Sequence, residues 1–228
     1  MTRILQWPEK TLRPVSVTRP YLVSQSQSGG RTLAGVERVR QGDAPFWRMS
    51  ISLQVWGSRE IMALRALIGR GRGDVLAVPS WDCARSPAGL PDFSIPPSAE
   101  PHDDGALFSD GSSYLSRATS AVVDAGAAAR ATTITVRFIN TPRPPVWPDM
   151  FLSIADRLYK VDRVTAESGQ TAIIAILPPL REPIFAGQVV LWDGARGLWR
   201  MTEDGIAMPQ ANFRIGSMQI DFIEAIRL

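Results

Sequence analysis

The sequence is poor in the side chains that build metal sites and nucleophilic sites. Among its 228 residues, Cys83 is the only cysteine and His102 the only histidine. A single cysteine excludes an internal disulfide framework and a cysteine-based zinc site. No local signature of a cysteine–histidine nucleophile pair surrounds either residue. We therefore interpret Cys83 as a buried thiol and His102 as an imidazole on a loop.

Lysine is almost missing as well, because Lys10 and Lys160 are the only two. The positive charge therefore comes almost entirely from arginine, which is enriched at protein interfaces, although arginine codons in a GC-rich genome explain the same bias. The 25 basic and 22 acidic residues leave a net charge of +3, and the pI is near 9.5. This charge is too small to indicate a nucleic-acid-binding protein, although the pI keeps that class open.

Long apolar runs are also lacking. The first ten residues, MTRILQWPEK, contain no apolar segment of the length that a signal peptide needs, and no stretch approaches a membrane span. We therefore expect a protein that is soluble where it is made.

The clearest regular pattern lies just after residue 46. Apolar side chains alternate there with polar ones, the period of two that is typical of a strand with one buried face. The apolar members are Trp47, Met49, Ile51, Leu53 and Val55. This pattern predicts a strand with one buried face. Tryptophan is enriched at protein interfaces, but for Trp47, Trp56 and Trp81 we favour core positions.

A helix is predicted directly after that strand. Gly57 breaks the alternation, Ser58 can cap the first turn, and Glu60 places a carboxylate at the positive end of the helix. Apolar residues then fall three or four apart, which predicts about three turns over residues 58–68 that pack one face onto the sheet. These residues are Ile61, Leu64, Leu67 and Ile68. Glycines follow, and residues 75–78 resume as a strand.

Both ends of the chain belong to the same sheet in our interpretation. Pro8, Pro14 and Pro20 interrupt the apolar pieces of residues 1–23, and because proline cannot donate to a sheet, residues 15–23 are predicted to be an edge strand or an extended arm. Met218, Ile220 and Phe222 alternate with polar residues near the C-terminus. A strand of this kind needs a sheet to join, so we assign residues 1–83 and 193–228 to one domain that an insertion interrupts.

Residues 84–119 form a proline- and glycine-rich linker in this scheme. The linker contains the most metal-like cluster in the chain, His102-Asp103-Asp104. Three adjacent residues on a loop rarely converge on one ion without a further ligand, so no metal site is predicted.

Residues 120–192 have the pattern of a small all-β domain. Five short segments with strand character fall within about 70 residues with no helical period between them. Ala155-Asp156-Arg157 separates two of them as a hairpin turn would. We predict a small antiparallel β-barrel inserted into the first domain.

The order of these segments resembles a known family. The likeness rests on Gly-Gly-Arg-Thr at residues 29–32, Trp47-Arg48, the helix with its glycine-rich exit, the run Asp-Arg-Leu-Tyr-Lys-Val at 156–161, Leu-Pro-Pro-Leu-Arg at 177–181 and Gly-Gln-Val-Val at 187–190. The chain thereby resembles the distal tail proteins of long-tailed, siphovirus-like phages and prophages. The likeness covers most of residues 29–226, whereas residues 1–28 and 84–113 match no pattern that we can name.

The resemblance implies a mainly β protein, with a ring-forming β-sandwich domain, one packed α-helix and an inserted small antiparallel β-barrel. It implies a structural virion protein that forms a ring of six subunits at the distal end of the tail and links the tail tube to the hub and the host-recognition apparatus. The implied partners are other copies of the chain, the tail tube protein, and hub, fibre or receptor-binding proteins, with no membrane and no specific nucleic acid. The implied location is the virion tail tip, after assembly in the bacterial host cytoplasm.

No pattern indicates an enzyme. The sequence contains no glycine-rich phosphate loop, nucleophile elbow or helix with paired histidines, so we expect no catalytic residue, no metal and no cofactor.

Two binding hypotheses stay open beside the structural one. The barrel could be a carbohydrate-binding module of the tail tip that presents Trp147, Tyr159 or Trp192 to a sugar on the host surface. A five-stranded barrel with arginines and aromatic residues is also a common platform for single-stranded nucleic acid, which predicts salt-dependent binding.

Overall fold

The computed structural model describes residues 4–8, 11–24, 27–31, 37–40, 45–71, 74–80, 98–100, 114–116, 120–139, 146–192, 195–202 and 215–226. Within these residues the fold is mainly β with one helix, which confirms the predicted class. The chain divides into two compact units, Met1–Trp81 with Arg196–Leu228, and Asp82–Ala195.

The described elements follow one another along the chain. The first segment of unit 1 contains β1 (Ile4–Gln6), β2 (Pro14–Val17), β3 (Tyr21–Val23), β4 (Gln27–Arg31), β5 (Glu37–Arg40), β6 (Phe46–Trp56), α1 (Gly57–Gly71) and β7 (Val75–Pro79). Unit 2 contains β8 (Ser98–Glu100), β9 (Tyr114–Ser116), β10 (Ser120–Ala125), β11 (Thr133–Ile139), β12 (Phe151–Ile154), β13 (Arg157–Ser168), β14 (Thr171–Leu177) and β15 (Val189–Leu191). Unit 1 resumes with β16 (Arg196–Met201) and β17 (Ile215–Glu224).

Unit 1 is built on a seven-stranded sheet in the order β1-β7-β16-β17-β6-β2, with β3 also paired to β6. The predicted alternation in β6 is confirmed, because its five apolar side chains from Trp47 to Val55 are all buried. Strand β17 runs antiparallel to β6 from Ile215 opposite Trp56 to Ile223 opposite Arg48. The last strand of the chain therefore joins the early strands, as its pattern predicted.

The two edges of this sheet are formed differently, by a parallel strand on one side and by antiparallel strands on the other. Strand β1 pairs with β7 in parallel, and this short strand was not predicted from the sequence. On the other side, β2 and β3 pair in turn with β6, which confirms the predicted edge strand. The register of β2 shifts between Pro14 and Ser16, so Val15 is the extra residue of a β-bulge. A bulge beside a proline interrupts the hydrogen-bonding row of an edge.

Helix α1 begins at Gly57, whose φ of 82° is in the left-handed region, and it is about one turn longer than predicted. Leu64, Leu67 and Ile68 are buried, as their spacing indicated. The helix packs against β6. The Glu60 side chain accepts a hydrogen bond from the backbone N–H of Trp56 at 2.6 Å, so it caps the amide just before the helix begins.

Unit 2 contains a closed antiparallel barrel in the order β10-β11-β14-β13-β12-β15. Inward side chains such as Val136, Phe138, Leu152 and Ile174 form its core. The predicted small barrel is confirmed, but it has six strands where the sequence indicated five. The missed strand is β10, whose inward residues Ala121 and Val123 give only a short alternation. Separate two-stranded sheets pair β4 with β5 and β8 with β9.

Candidate interaction surfaces

The three predicted sugar-contacting residues lie in different environments. Tyr159 is only 1% exposed and belongs to the barrel core, where its hydroxyl oxygen accepts a hydrogen bond from the Arg181 backbone N–H at 3.2 Å. Its ring therefore offers no face to a sugar, which corrects the expectation for this residue. Tyr159 faces the inside of the barrel because it lies opposite Leu152 of β12, and residues that are opposite each other on paired strands share one face of the sheet.

Trp192 also packs against the barrel core. Its ring lies 5.4 Å from the Phe138 ring, and its Nε1 is buried without a hydrogen-bond partner among the described residues. Trp147, in contrast, is 39% exposed on the segment before β12. Of the three candidates, only Trp147 is classed as exposed.

The metal-like cluster His102-Asp103-Asp104 and the thiol Cys83 lie outside the described residues. Within the part of the chain that the structure describes, no three His, Cys, Asp or Glu side chains are grouped so that they could hold a metal ion. The candidate surfaces below are therefore built from other side chains.

One face of the unit 1 sheet is polar, because the residues of β6 that alternate with its buried side chains pair with polar residues of β17. Ser50 is opposite Asp221, and Ser52 is opposite Gln219. Ser50 Oγ donates a hydrogen bond to Asp221 Oδ1, and Gln219 Nε2 donates to the same oxygen at 3.1 Å. A hydrogen-bonded network therefore links the two central strands on this polar face.

The network lowers the pKa of Asp221 below its ordinary value of 3.8. The largest cause is the hydrogen bond from Ser50, followed by the hydrogen bond from Gln219, and the positive charge of Arg48 adds a smaller contribution in the same direction. Hydrogen bonds to a carboxylate favour its charged form. The polar face therefore keeps a fixed negative charge at its centre at neutral pH.

A cleft of about 310 Å³ opens where β6 extends beyond β2. We call it the β6 cleft; its walls include Leu12, Arg13, Leu53, Gln54, Trp56 and Glu60. Pro14 opposite Leu53 is the first residue pair of β2 with β6, so the last residues of β6 pair with β17 on one side and border this cleft on the other. The β6 cleft is thus a gap in the edge of the sheet.

An aromatic side chain stands at the β6 cleft. Trp56 is 58% exposed, whereas Trp47 at the other end of the same strand is fully buried. The sequence favoured a core position for both, and the structure confirms it for Trp47 but not for Trp56. The difference follows from the period of two, because the two residues lie on opposite faces of β6. Trp81 lies outside the described residues.

The opposite side of the sheet carries a different set of side chains, which we call the β1 edge: Ile4, Gln6 and Arg196. Ile4 and Gln6 are exposed on β1, and Arg196 Nη1 donates a hydrogen bond to Gln6 Oε1 at 3.3 Å. Register brings them to one face, because Gln6 is opposite Ala77 on β7 and Arg196 is opposite Pro79 two residues further along. Asp74 directly precedes the β7 residue that is opposite Ile4.

Unit 2 exposes several apolar side chains that are not part of its barrel core. We refer to four of them together as the barrel patch: Ile139, Phe185, Val189 and Leu191. Phe185 is 65% exposed at the start of a tight turn, where the Gln188 N–H donates to the Phe185 carbonyl and the Phe185 N–H donates to Gln188 Oε1. Gly187, with φ of 86°, allows this turn. Sequence reasoning missed Phe185, although the Phe-Ala-Gly-Gln turn was a usable signal.

Among the described residues, no helix is long and apolar enough to cross a membrane. Compared with known proteins, the chain matches no protein-family model, and no curated protein sequence is significantly similar to it.

Proposed function

We propose that the chain is a structural protein of a phage tail that forms a closed ring of six subunits at the distal end of the tail tube. In this role it links the tube to the hub and to fibre or receptor-binding proteins, and it catalyses no reaction. It would be assembled in the bacterial host cytoplasm and would reside at the tail tip of the virion. The segment order described above is the starting point for this proposal, and the architecture of unit 1 supports it.

The observation that carries the proposal is that the unit 1 sheet presents two unlike edges. The β1 edge combines an isoleucine with a glutamine–arginine pair, whereas the other side combines the bulged strand β2 with the β6 cleft and its exposed tryptophan. Two different surfaces on one subunit favour head-to-tail contacts, and such contacts close into a ring when the rotation between subunits is suitable. Exposed edges are a hazard for a monomer but are covered in a ring.

The barrel patch gives a second, weaker argument. A barrel whose strands are all paired has no free edge through which to associate, so any partner must bind its outer side chains. Exposed aromatic and aliphatic residues are the kind that protein interfaces bury. Unit 2 therefore has a surface suited to the neighbouring tail proteins that the proposal requires.

The proposal is tested by the solution mass of the full-length chain. A ring of six 25.0 kDa chains has a mass of about 150 kDa. Light scattering across a concentration series, followed by negative-stain imaging of the same peak, should give that mass and a closed ring with an open centre. A chain that stays monomeric at every concentration contradicts the proposal.

A second candidate function is carbohydrate binding at the tail tip, and one observation favours it: the exposed indole of Trp147. Sugars stack on exposed aromatic faces, so binding to host polysaccharide should be lost in Trp147→Ala and kept in Phe185→Ala. Equal binding of the wild-type chain and Trp147→Ala would rule out this candidate at Trp147.

A further inference from the structure

Two surfaces of unit 1 that lie at different positions along the sheet have complementary side chains. Taking the proposed ring as its premise, we infer that the subunits contact one another by seating the β1 edge of one copy against the β6 cleft of the next. The contact pairs Arg196 of one copy with Glu60 of the next copy and packs Ile4 against the Trp56 indole. The occupant of the β6 cleft is thus a second copy of this chain.

The β6 cleft has the form that an added edge strand requires. Buried Leu12 and Leu53 line it, Trp56 is exposed beside it, and it borders strand residues that have lost their β2 partner. Its volume of about 310 Å³ accommodates a few side chains but not a folded element. Strand β1 is three residues long and lies at the outside of the described sheet, so it can approach such a gap without rearrangement.

The two surfaces carry charges of opposite sign where they would meet. The β6 cleft carries one anion, Glu60, and one cation, Arg13. The β1 edge carries the cation Arg196 beside Gln6, so it can form an opposite pair with Glu60. Complementary charges fix the register of an interface and disfavour wrong partners. A contact between two β1 edges or between two β6 clefts lacks this match of exposed tryptophan with isoleucine.

The two surfaces also have suitable positions on the sheet. Trp56, like Arg48 and Ser50, is on the polar face of β6, and the register through β17 and β16 places Arg196 on that same face. The contact would therefore continue one face of the sheet from subunit to subunit. The two surfaces differ in composition, so the contact is head-to-tail, as a closed ring requires.

A charge exchange tests the contact on the full-length chain. Glu60→Arg and Arg196→Glu should each weaken association at least about tenfold, seen as a shift from ring to smaller species at a fixed concentration. The double variant should regain most of the wild-type mass, because the pair is restored with its signs exchanged. Arg200→Glu, on the same strand and face as Arg196, is the matched control and should leave the mass unchanged.

Trp56→Ala tests the apolar half of the contact without altering charge. It should also weaken association about tenfold, whereas Met62→Ala, which removes an exposed apolar side chain from α1, should have no effect. Circular dichroism and thermal unfolding of each variant identify any loss of association that comes from misfolding. Glu60→Gln, which keeps an acceptor for the Trp56 amide, separates the loss of charge from the loss of the helix cap.

The outcomes separate the contact from the ring itself. A wild-type ring that the single charge variants and Trp56→Ala leave intact refutes this contact and leaves the proposed function standing. A ring that the single variants break and the double variant does not restore also refutes the Arg196–Glu60 pairing. A wild-type chain that remains monomeric overturns both inferences, whereas loss in the single variants with recovery in the double variant supports both.

Discussion

Gly197 on β16 is expected to be irreplaceable, because a side chain there would enter the volume of a buried tryptophan. A Cβ atom at this position would lie 2.6 Å from Nε1 and 2.9 Å from Cε2 of Trp199. Both distances are shorter than non-bonded atoms tolerate. Trp199 is 1% exposed, so its indole can move only by displacing neighbouring core side chains. The Gly197→Ala variant must therefore shift a large ring within a packed core.

Forcing an extra carbon into a packed core costs about 1 to 3 kcal/mol in the free energy of unfolding, a factor of roughly 5 to 150 in the folding equilibrium. Urea unfolding followed by tryptophan fluorescence should show a midpoint lower by roughly 1 M for a loss of about 2 kcal/mol. Gly69→Ala is the matched control. Its Cβ would meet no atom within 4 Å in α1, so this variant should be as stable as the wild type or up to about 1 kcal/mol more stable.

A double-mutant cycle identifies the cause. Trp199→Leu, whose side chain ends at Cδ, removes the ring atoms that the new Cβ would touch, so Gly197→Ala should cost much less in that background than in the wild type. Since β16 lies between β7 and β17, the loss should be confined to unit 1, and hydrogen exchange of the barrel strands should not change. Full stability of Gly197→Ala, or an equal cost in both backgrounds, would refute the reasoning.

Three further predictions concern single sites. Ala155 and Asp156, with φ of 49° and 59°, form the turn between β12 and β13. Ala155→Asn should raise the free energy of unfolding by about 0.5 to 1 kcal/mol, because asparagine tolerates the left-handed region better than alanine. A variant that is less stable than the wild type in urea unfolding would contradict this prediction. Arg157 is 4% exposed and is bonded to Glu182, which is itself 56% exposed, at 2.8 Å. Arg157→Ala should lower the free energy of unfolding by about 1 to 3 kcal/mol, mainly because the packing of the buried side chain is lost, whereas Arg137→Ala, in the exposed pair with Asp124, should lower it by less than about 1 kcal/mol. Equal losses in thermal unfolding would be incompatible with the burial argument. The pKa of Asp221 is lower in the folded protein than its ordinary value of 3.8. The stabilisation by the Asp221 carboxylate is therefore fully present above pH 3.8 and is lost as the pH falls through the folded pKa, so the difference in stability between the wild type and Asp221→Asn should shrink below about pH 3.8. A difference that grows at lower pH would contradict this prediction.

Local patterns were sufficient for the elements whose burial alternates strictly. Strand β6, the apolar stripe of α1 and the membership of β17 in the early sheet all follow from side-chain period, because one buried face imposes that period on the sequence. Short strands escaped this reasoning. Strand β1 has three residues and β10 uses small inward side chains, so neither shows enough alternation to be recognised, and their pairing is decided by the neighbouring strands.

The surfaces were harder to predict than the core. The sequence places an aromatic residue on an element but does not say whether its side chain is covered: Tyr159 is buried, whereas Trp56 and Trp147 are exposed. The Asp221 network was also missed, because its members Ser50, Gln219 and Asp221 are far apart in sequence and meet only through the register of β6 with β17. Long-range register is the information that a single sequence lacks.

The same register explains why the candidate ring contact has its particular composition. The eleven residues of β6 exceed the reach of β2 and β3 on its outer side, so its end residues border the β6 cleft, which another chain can enter. The chain caps one of the exposed amides with Glu60, which also begins α1. A charged cap stabilises the free edge of a monomer, and it also provides a specific acceptor for a cation from a neighbouring subunit. The Glu60 carboxylate thus caps the Trp56 amide within its own chain and, in the proposed contact, also binds Arg196 of the next subunit. Exchanging the charges of Glu60 and Arg196 tests the second of these interactions.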